Sequence, residues 1–476
     1  MDFPFIGPAY LHRSANVAAQ RCVNLYPEIV EVQNEKTRIV LLGSPGKSLF
    51  CTLPKSPIRA EWLASNGRAF AVAGDSLYEL FSSGAYSLIG SLSSTTGRVS
   101  IADNGLQMMM VDGVHGYILT FSTNIYAQIT DPDFPGADLV GFLDGYFIFN
   151  IPNTGRFGIT ALYDGFDINS LDIATAEGSP DNLVSLIVDH RKVWLLGTQS
   201  GEIFFNSGNS SFPIERIQGA FMETGCAAKF SVAKLDNSIF WLGADDKGAG
   251  IVYRAQNYEP LIISTRAIEQ AIRTYSDISD ATAYVYQEEG HYFYVLNFPT
   301  GNATWVYDVS TQMWHERAYL NIDGSLSRDR AENHVYAFGQ HLVGDCNSGN
   351  IYISSVTIYS DYDRPLKAIR SSPHSTGPDM NGVFYKMFEL GIDAGVGLDG
   401  VQQGDDPQVM LRWSNDGGNS WSTYKNRALG RIGEFTKRLR WNRLGWSRDR
   451  VFEVSITDPA PRVLMSATVL AEAQES

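Results

Sequence analysis

From about residue 58 the apolar positions of the chain fall into a recurring unit. An apolar or alternating strand leads to a turn at Gly, Asp or Asn and returns through a second strand rich in aromatic residues. The units are GRAFAVAGDSLYEL at 67, LQMMMVDGVHGYIL at 106, LVGFLDGYFIFNI at 139 and LVSLIVDHRKVWLLGTQSGEIFF at 183. FSVAKLDNSIFWLGADDKGAGIVYRA at 230, ATAYVYQEEGHYFYVLNFPTGNATWVYDV at 281 and NHVYAFGQHLVGDCNSGNIYI at 333 complete the series. The VDG, LDG, LDN and EEG turns are hairpin signals. Units spaced roughly 30 to 55 residues apart have the length of β-propeller blades, and a closed ring leaves few open strand edges. The pattern predicts an all-β fold with a six- or seven-bladed propeller over 58–379, preceded by an extended segment, 1–57, that leads into it.

One stretch changes period. In STRAIEQAIRTY, Ser264 to Tyr275, the residues Ile268, Ala271, Ile272 and Tyr275 recur at helical spacing, with Ser264 or Thr265 as a cap. A short helix between blades is expected.

After about residue 380 the strands MFELGIDAG, QVMLRWSND, TKRLRWNRLGW, RVFEVSITD and VLMSATVLA alternate more strictly, and four of the nine tryptophans (Trp413, Trp421, Trp441, Trp446) lie here. This predicts a C-terminal antiparallel β-sandwich over 380–476 with a separate small core, ending in a frayed AEAQES. Within TKRLRWNRL, alternation sends Leu439 and Trp441 into that core and leaves Arg438 and Arg440 pointing outward together.

Composition fits many short strands: 12% aromatic residues and 44 glycines in 476 residues. The net charge of −15 excludes a general nucleic-acid coat. The charge is uneven, since residues 425–450 hold nine Lys or Arg against two acids and leave about −22 on the rest. Arg438 and Arg440 are therefore the candidate protein-interface residues, suited to an acidic surface on a neighbouring subunit or partner. The cysteines at 22, 51, 226 and 346 fit no metal-ligand spacing and read as buried thiols of a reduced compartment. The opening MDFPFIGPAYLHR has no signal-peptide pattern and no apolar run is long enough to span a membrane, so a soluble chain without a membrane anchor is expected.

Several motifs imitate chemistry. RIVLLGSPGKS at 38–48 resembles a phosphate loop, but Leu41 stands where its first Gly belongs and Pro54 and Pro57 replace the helix. A Pro-Gly turn with Gly46 at positive φ is expected instead. GDSL at 74–77 would need a distant Asp-x-x-His to activate Ser76, and the match, Asp112 to His115, sits inside a repeat hairpin. SNDGGNSW, Ser414 to Trp421, fits the Asp-box, a self-bonded hairpin in which Asp416 accepts local bonds, Gly418 supplies the dihedral and Trp421 packs beneath. A sialidase would carry several such boxes and an arginine cluster. His315-Glu316 does not continue as a zinc motif, and GADDKGAG at 243 lacks the alternating ligands of a calcium loop. No catalytic, metal or cofactor residue is assigned.

The landmarks together resemble the packaged-DNA stabilisation proteins, the tail hub or tail accessory proteins of short-tailed phages. RCVNLYPE resembles that family's opening, LLGSPGKS its approach to the first blade and GRVSIADNG its second blade start. ISTRAIEQAIRTY with HYFYVLNFP and ATWVYDVSTQMWHER is similar to its central block. LRWSNDGGNSWS and LGRIGEFTKRLRWNRLGWSRDRVFEVSITDP resemble its C-terminal domain. The resemblance implies a non-enzymatic virion protein assembled in the host cytoplasm as a sixfold ring below the portal and its adaptor. It also implies attachment of a tail needle and tailspikes or fibres, with double-stranded DNA passing through the lumen without sequence-specific binding. The alternative is a glycan-binding or glycan-cleaving propeller; a cellular scaffold propeller is a third reading.

Overall fold

The computed structural model describes residues 2–14, 18–31, 38–176, 178, 180–244, 248, 250–377, 381–400 and 402–473. Among these, seven four-stranded antiparallel sheets follow one another as blades, which settles the blade number left open by the sequence. In blade 1, Ile58–Leu63 pairs with Ala69–Ala73, that strand with Ser76–Leu80, and the third with Tyr86–Ser91. Blades 2 to 6 repeat this order over 100–128, 140–175, 183–222, 233–262 and 282–320.

Each blade is covered on both faces by its neighbours, so its middle strands are apolar on both faces rather than alternating. Every residue of Gln107–Val111 is buried for this reason. Met108 and Met110 pack towards Phe70 and Leu77 of blade 1, while Met109 and Val111 pack towards Phe147 and Phe149 of blade 3. The hairpins turn as the LDG, LDN and EEG signals require. Asp144–Gly145, Asp236–Asn237 and Glu289–Gly290 all hold positive φ at both turn positions, matching the right-handed strand twist. The VDG turn is longer, with Asp112 Oδ1 accepting from the backbone of Val114 and His115. The helix runs Arg266–Ile272 between blades 5 and 6, with Thr265 as its cap and Ile268 and Ile272 buried.

The first 57 residues are not a simple lead-in. Strand Gly46–Thr52 is the outer strand of blade 7, pairing antiparallel with Asn350–Ser355 and closing the ring. Gly46 starts that strand without positive φ. Its need is space, because a Cβ there would lie 2.3 Å from the Ile358 carbonyl oxygen. Upstream, Leu25–Val30 and Arg38–Gly43 extend one sheet of the C-terminal sandwich, alongside Val463–Ala473, Val383–Ile392 and Leu439–Ser447.

The second sandwich sheet starts before residue 380. Ala368–Ser371 pairs with Asp449–Ile456 on one side and with Cys22–Val23 on the other. Val23 in turn lies parallel to Glu316 on the outer strand of blade 6, so one continuous sheet links propeller and sandwich. The expected separate core is accordingly absent. A single apolar cluster runs from Phe240, Tyr294 and Trp314 of blades 5 and 6, through Phe5, Cys22 and Leu25, to Phe388, Trp441 and Phe452. Pairing in the last strand extends to Ala473, into the segment expected to fray; residues 474–476 lie outside the described residues.

Candidate functional site

The motifs that imitate enzymes are used by the fold. Lys47, the lysine of the phosphate-loop lookalike, points into the protein and pairs with Asp329 and, at 3.0 Å, with Asp361. Burial alone would lower its pKa, but the two carboxylates raise it above the ordinary lysine value. A lysine buried between two carboxylates is out of reach of a nucleotide phosphate. Ser76 donates to Asp75 at 2.8 Å within blade 1, whereas Asp112 is occupied by Ser94 and by the turn backbone next to His115. No contact joins Ser76 to His115 among the described residues.

The Asp-box closes on itself. Asp416 Oδ1 accepts from Ser414 Oγ at 2.6 Å and from the Ser420 amide at 2.8 Å, and Gly418 sits at φ 99°. Those bonds hold the Asp416 carboxyl down at about 2. Trp421 lies beside Gly418 and under the Arg412 guanidinium, 4.6 Å from the ring centre. The four cysteines are free, and burial pushes Cys226 up to about 11 and the other three up to about 12, which makes them inert thiols. No group of three or more candidate metal ligands occurs among the described residues. The acidic stretch at 243–250 falls largely on residues 245–247 and 249, outside them.

The inner strands of the blades surround a space on the propeller axis. Arg98, from the start of blade 2, reaches across it. Its Nη1 donates to the Glu332 carbonyl at 2.7 Å and to Asn333 Oδ1 on blade 7, and its guanidinium lies 5.8 Å from the Phe230 ring centre beside blade 5. Arg98 and Phe230 border two cavities of about 500 and 410 Å³ on the axis. Cavities of this size are on the scale of a small molecule, far below that of a nucleic-acid duplex.

On the sandwich, Leu439 and Trp441 are buried and Arg438 and Arg440 face outward, as alternation requires. Both arginines share one acid: Arg438 Nε donates to Glu389 Oε1 at 2.6 Å and Arg440 Nε to Oε2 at 2.7 Å. Burial would raise the Glu389 pKa, but the two guanidinium hydrogen bonds bring it below the usual carboxylate value. The clamp keeps one net positive charge at the surface, beside Arg427, whose Nε donates to the Arg440 carbonyl.

Several exposed apolar side chains lie outside these motifs. The loop before Arg438 exposes Ile432 (62%) and Phe435 (71%), and blade 3 exposes Leu171 (83%). One or two apolar residues in a loop or bulge leave no periodic signal in the sequence.

Comparison with known proteins bears on the whole chain. The family model described as bacteriophage P22 Gp10, beta-propeller, matches residues 1–359, and the one described as bacteriophage P22 Gp10, beta-sandwich, matches residues 378–472. No curated protein matches. Solved structures overlap only loosely. The WD40 propeller domain of Doa1 gives a TM-score of 0.41 at 10% identity, over 65% of this chain and 97% of that one. YCF48 bound to a D1 peptide gives 0.39 at 11%, over 68% and 97%. The extracellular domain of BT4673 from B. thetaiotaomicron gives 0.45 at 11%, over 82% and 48%. The two family matches, one for each part of the fold, place this chain in the bacteriophage P22 Gp10 family of phage tail hub, or packaged-DNA stabilisation, proteins.

Proposed function

We propose that this chain forms the ring-shaped hub of a short phage tail. In this reading six copies sit below the portal and its adaptor, close the DNA exit channel, retain the packaged genome and anchor the needle and the tailspikes or fibres. The observation that carries the reading is the match of both the propeller and the sandwich parts of the chain to one tail-protein family. The role is architectural rather than catalytic, and each enzyme-like motif has a structural partner that accounts for it.

The narrow propeller axis bears on where DNA travels. With Arg98 and Phe230 across the axis, the duplex passes between subunits, through the centre of the ring, and not through any one propeller. A body carrying −15 overall repels phosphates, so the genome slides without sticking. Electron microscopy of the purified chain mixed with its portal and adaptor tests the reading. A sixfold ring at the adaptor's open end is expected; a chain that adds no density to the complex would refute it.

A further inference from the structure

The loop Gly430–Arg438 is braced rather than slack. The Gly433 amide donates to the Gly395 carbonyl at 3.1 Å, the Glu434 amide to Arg431 at 3.0 Å and the Lys437 amide to Glu434 at 3.2 Å. Gly395, at φ 74°, lies so close that a Cβ there would stand 2.8 Å from the backbone of Glu434 and Phe435. This fixed loop presents Ile432 and Phe435 to solvent among Arg431, Lys437 and Arg438; Lys437 pairs with Glu434 at 3.0 Å and Arg438 shares Glu389 with Arg440, which leaves the rim net positive. An ordered apolar pair with a basic rim has the makeup of an interface anchor, since little ordering entropy remains to be lost on binding.

The complementary surface lies on blade 3. Its outer strand, Asp164–Thr175, leaves the ladder between the pairs Thr160↔Ile168 and Gly158↔Ile173, so Asn169–Asp172 bulge outward with Leu171 at the crown. The Ser170 amide is held by Asp133 at 3.0 Å and the Ile168 amide by Asp131 at 3.3 Å. Residues 131–181 contain nine acids and one arginine. Among the described residues Arg191 pairs with Asp144 and Lys229 with Asp138, while Asp131, Asp133, Asp167 and Asp172 pair with no Lys or Arg. Burial and the charge of Asp167 raise the Asp172 pKa, a sign of crowded carboxylates lacking a cation.

Position decides what joins these surfaces. The sandwich is bonded to blade 6, and blade 3 lies three blades away around a circle of seven, on the opposite flank. The loop is thus set to meet the bulge of another copy, and an interface built from two different patches is heterologous, the kind that closes into rings. We propose that copies of this chain join head to tail, with Ile432 and Phe435 of one copy seated beside Leu171 on the blade 3 bulge of the next, and Arg431, Lys437 and Arg438 facing Asp131, Asp133, Asp167 and Asp172. The inference rests on the ring reading above and names the surfaces that would make the ring.

The test uses the full chain in three forms: wild type, a loop variant (Ile432→Ser with Phe435→Ser) and a bulge variant (Leu171→Ser, Asp167→Lys and Asp172→Lys). All the changed side chains are at least partly exposed, and thermal melts confirm folding. Sedimentation velocity over a concentration series at low salt should show wild-type rings. Association of either variant alone should be weaker by about tenfold or more. An equimolar mixture of the two variants retains one intact pairing and should stop at dimers. Folded variants that assemble like wild type, or a mixture that yields no dimer, would overturn this interface while leaving the hub reading in place. A wild type that stays monomeric at every concentration overturns the interface. Absence of density with the portal and adaptor would separately remove the hub reading.

Discussion

Lys47 Nζ donates to Asp361 Oδ1 at 3.0 Å across 314 positions of sequence, deep between the closing strand of blade 7 and the segment that follows the blade. Asp329 completes the triad from the other side, and all three side chains are at least 93% covered. Removing one member of a buried ion pair leaves an uncompensated charge and costs about 3–5 kcal/mol. Lys47→Met should therefore destabilise the chain by an amount of that order and open blade 7 first. Urea unfolding with hydrogen exchange over residues 46–52 checks it; an unchanged midpoint would mean the triad is not structural.

Arg370 fixes the N-terminal segment in a comparable way. Its guanidinium donates to the carbonyls of Phe5 at 2.6 Å, Pro8 at 2.9 Å and Arg21 at 3.3 Å, and burial lowers its pKa. Phe5, stacked edge-on against Phe388, depends on that anchor. Arg370→Met should orphan the carbonyls of Phe5 and Pro8, while the Arg21 carbonyl keeps the Ser371 amide at 3.0 Å, and cost about 2–3 kcal/mol. Proteolysis should then cut the first twenty residues while blades 1 to 4 stay protected. Uniform loss of protection over all seven blades would contradict a local role.

The contrast between these anchors and the blades explains what was legible in the sequence. Hairpins such as Leu143-Asp144-Gly145 carry their whole instruction locally, and so does the helix with Thr265 and Ile268. Leu439 and Trp441 could be assigned to the core because alternation within one strand is sufficient. Nothing near Cys22–Val23 or Gly46–Thr52 indicates that their partners lie about 300 or more residues away. The same holds for Lys47, whose neighbours Gly46 and Ser48 suggest phosphate binding while its partners are remote in sequence. The blade 3 bulge was hidden because a register shift leaves no periodic mark on its strand.

His315 makes stability depend on pH. It lies on the outer strand of blade 6, fully buried beside Tyr26 and Phe293, with no hydrogen-bond partner for either ring nitrogen among the described residues. Burial, then the nearby Arg317 and His291, depresses its pKa well below the ordinary histidine value. A depressed folded-state pKa gives stability that is fully present above the unfolded value of about 6.5 and is lost as pH falls below it. His315→Phe removes this proton linkage and keeps an aromatic ring among aromatic neighbours. The stability advantage of wild type over the variant should shrink as pH falls below about 6.5, by up to about 1.4 kcal/mol per pH unit. Parallel curves from pH 7 to pH 5 would show that His315 is not the linked group.

The clamp of Arg438 and Arg440 on Glu389 separates stability from assembly. All three side chains lie on the outer face of a sandwich strand pair in which Glu389 stands opposite Arg440. The two arginines are 63% and 40% exposed, so solvent screens the clamp and its contribution to folding is under about 1 kcal/mol. Reversing both charges would set two new carboxylates against Glu389 and confuse repulsion within the chain with repulsion between chains. Arg438→Gln with Arg440→Gln avoids that, since glutamine can still hydrogen-bond Glu389. The melting temperature should change little. Removing two positive charges from a surface that faces acidic neighbours should still slow association and flatten its salt dependence. Light scattering of ring formation across a salt series reads both quantities. If the double variant assembles with the wild-type rate and salt slope, the two arginines serve only to hold Glu389.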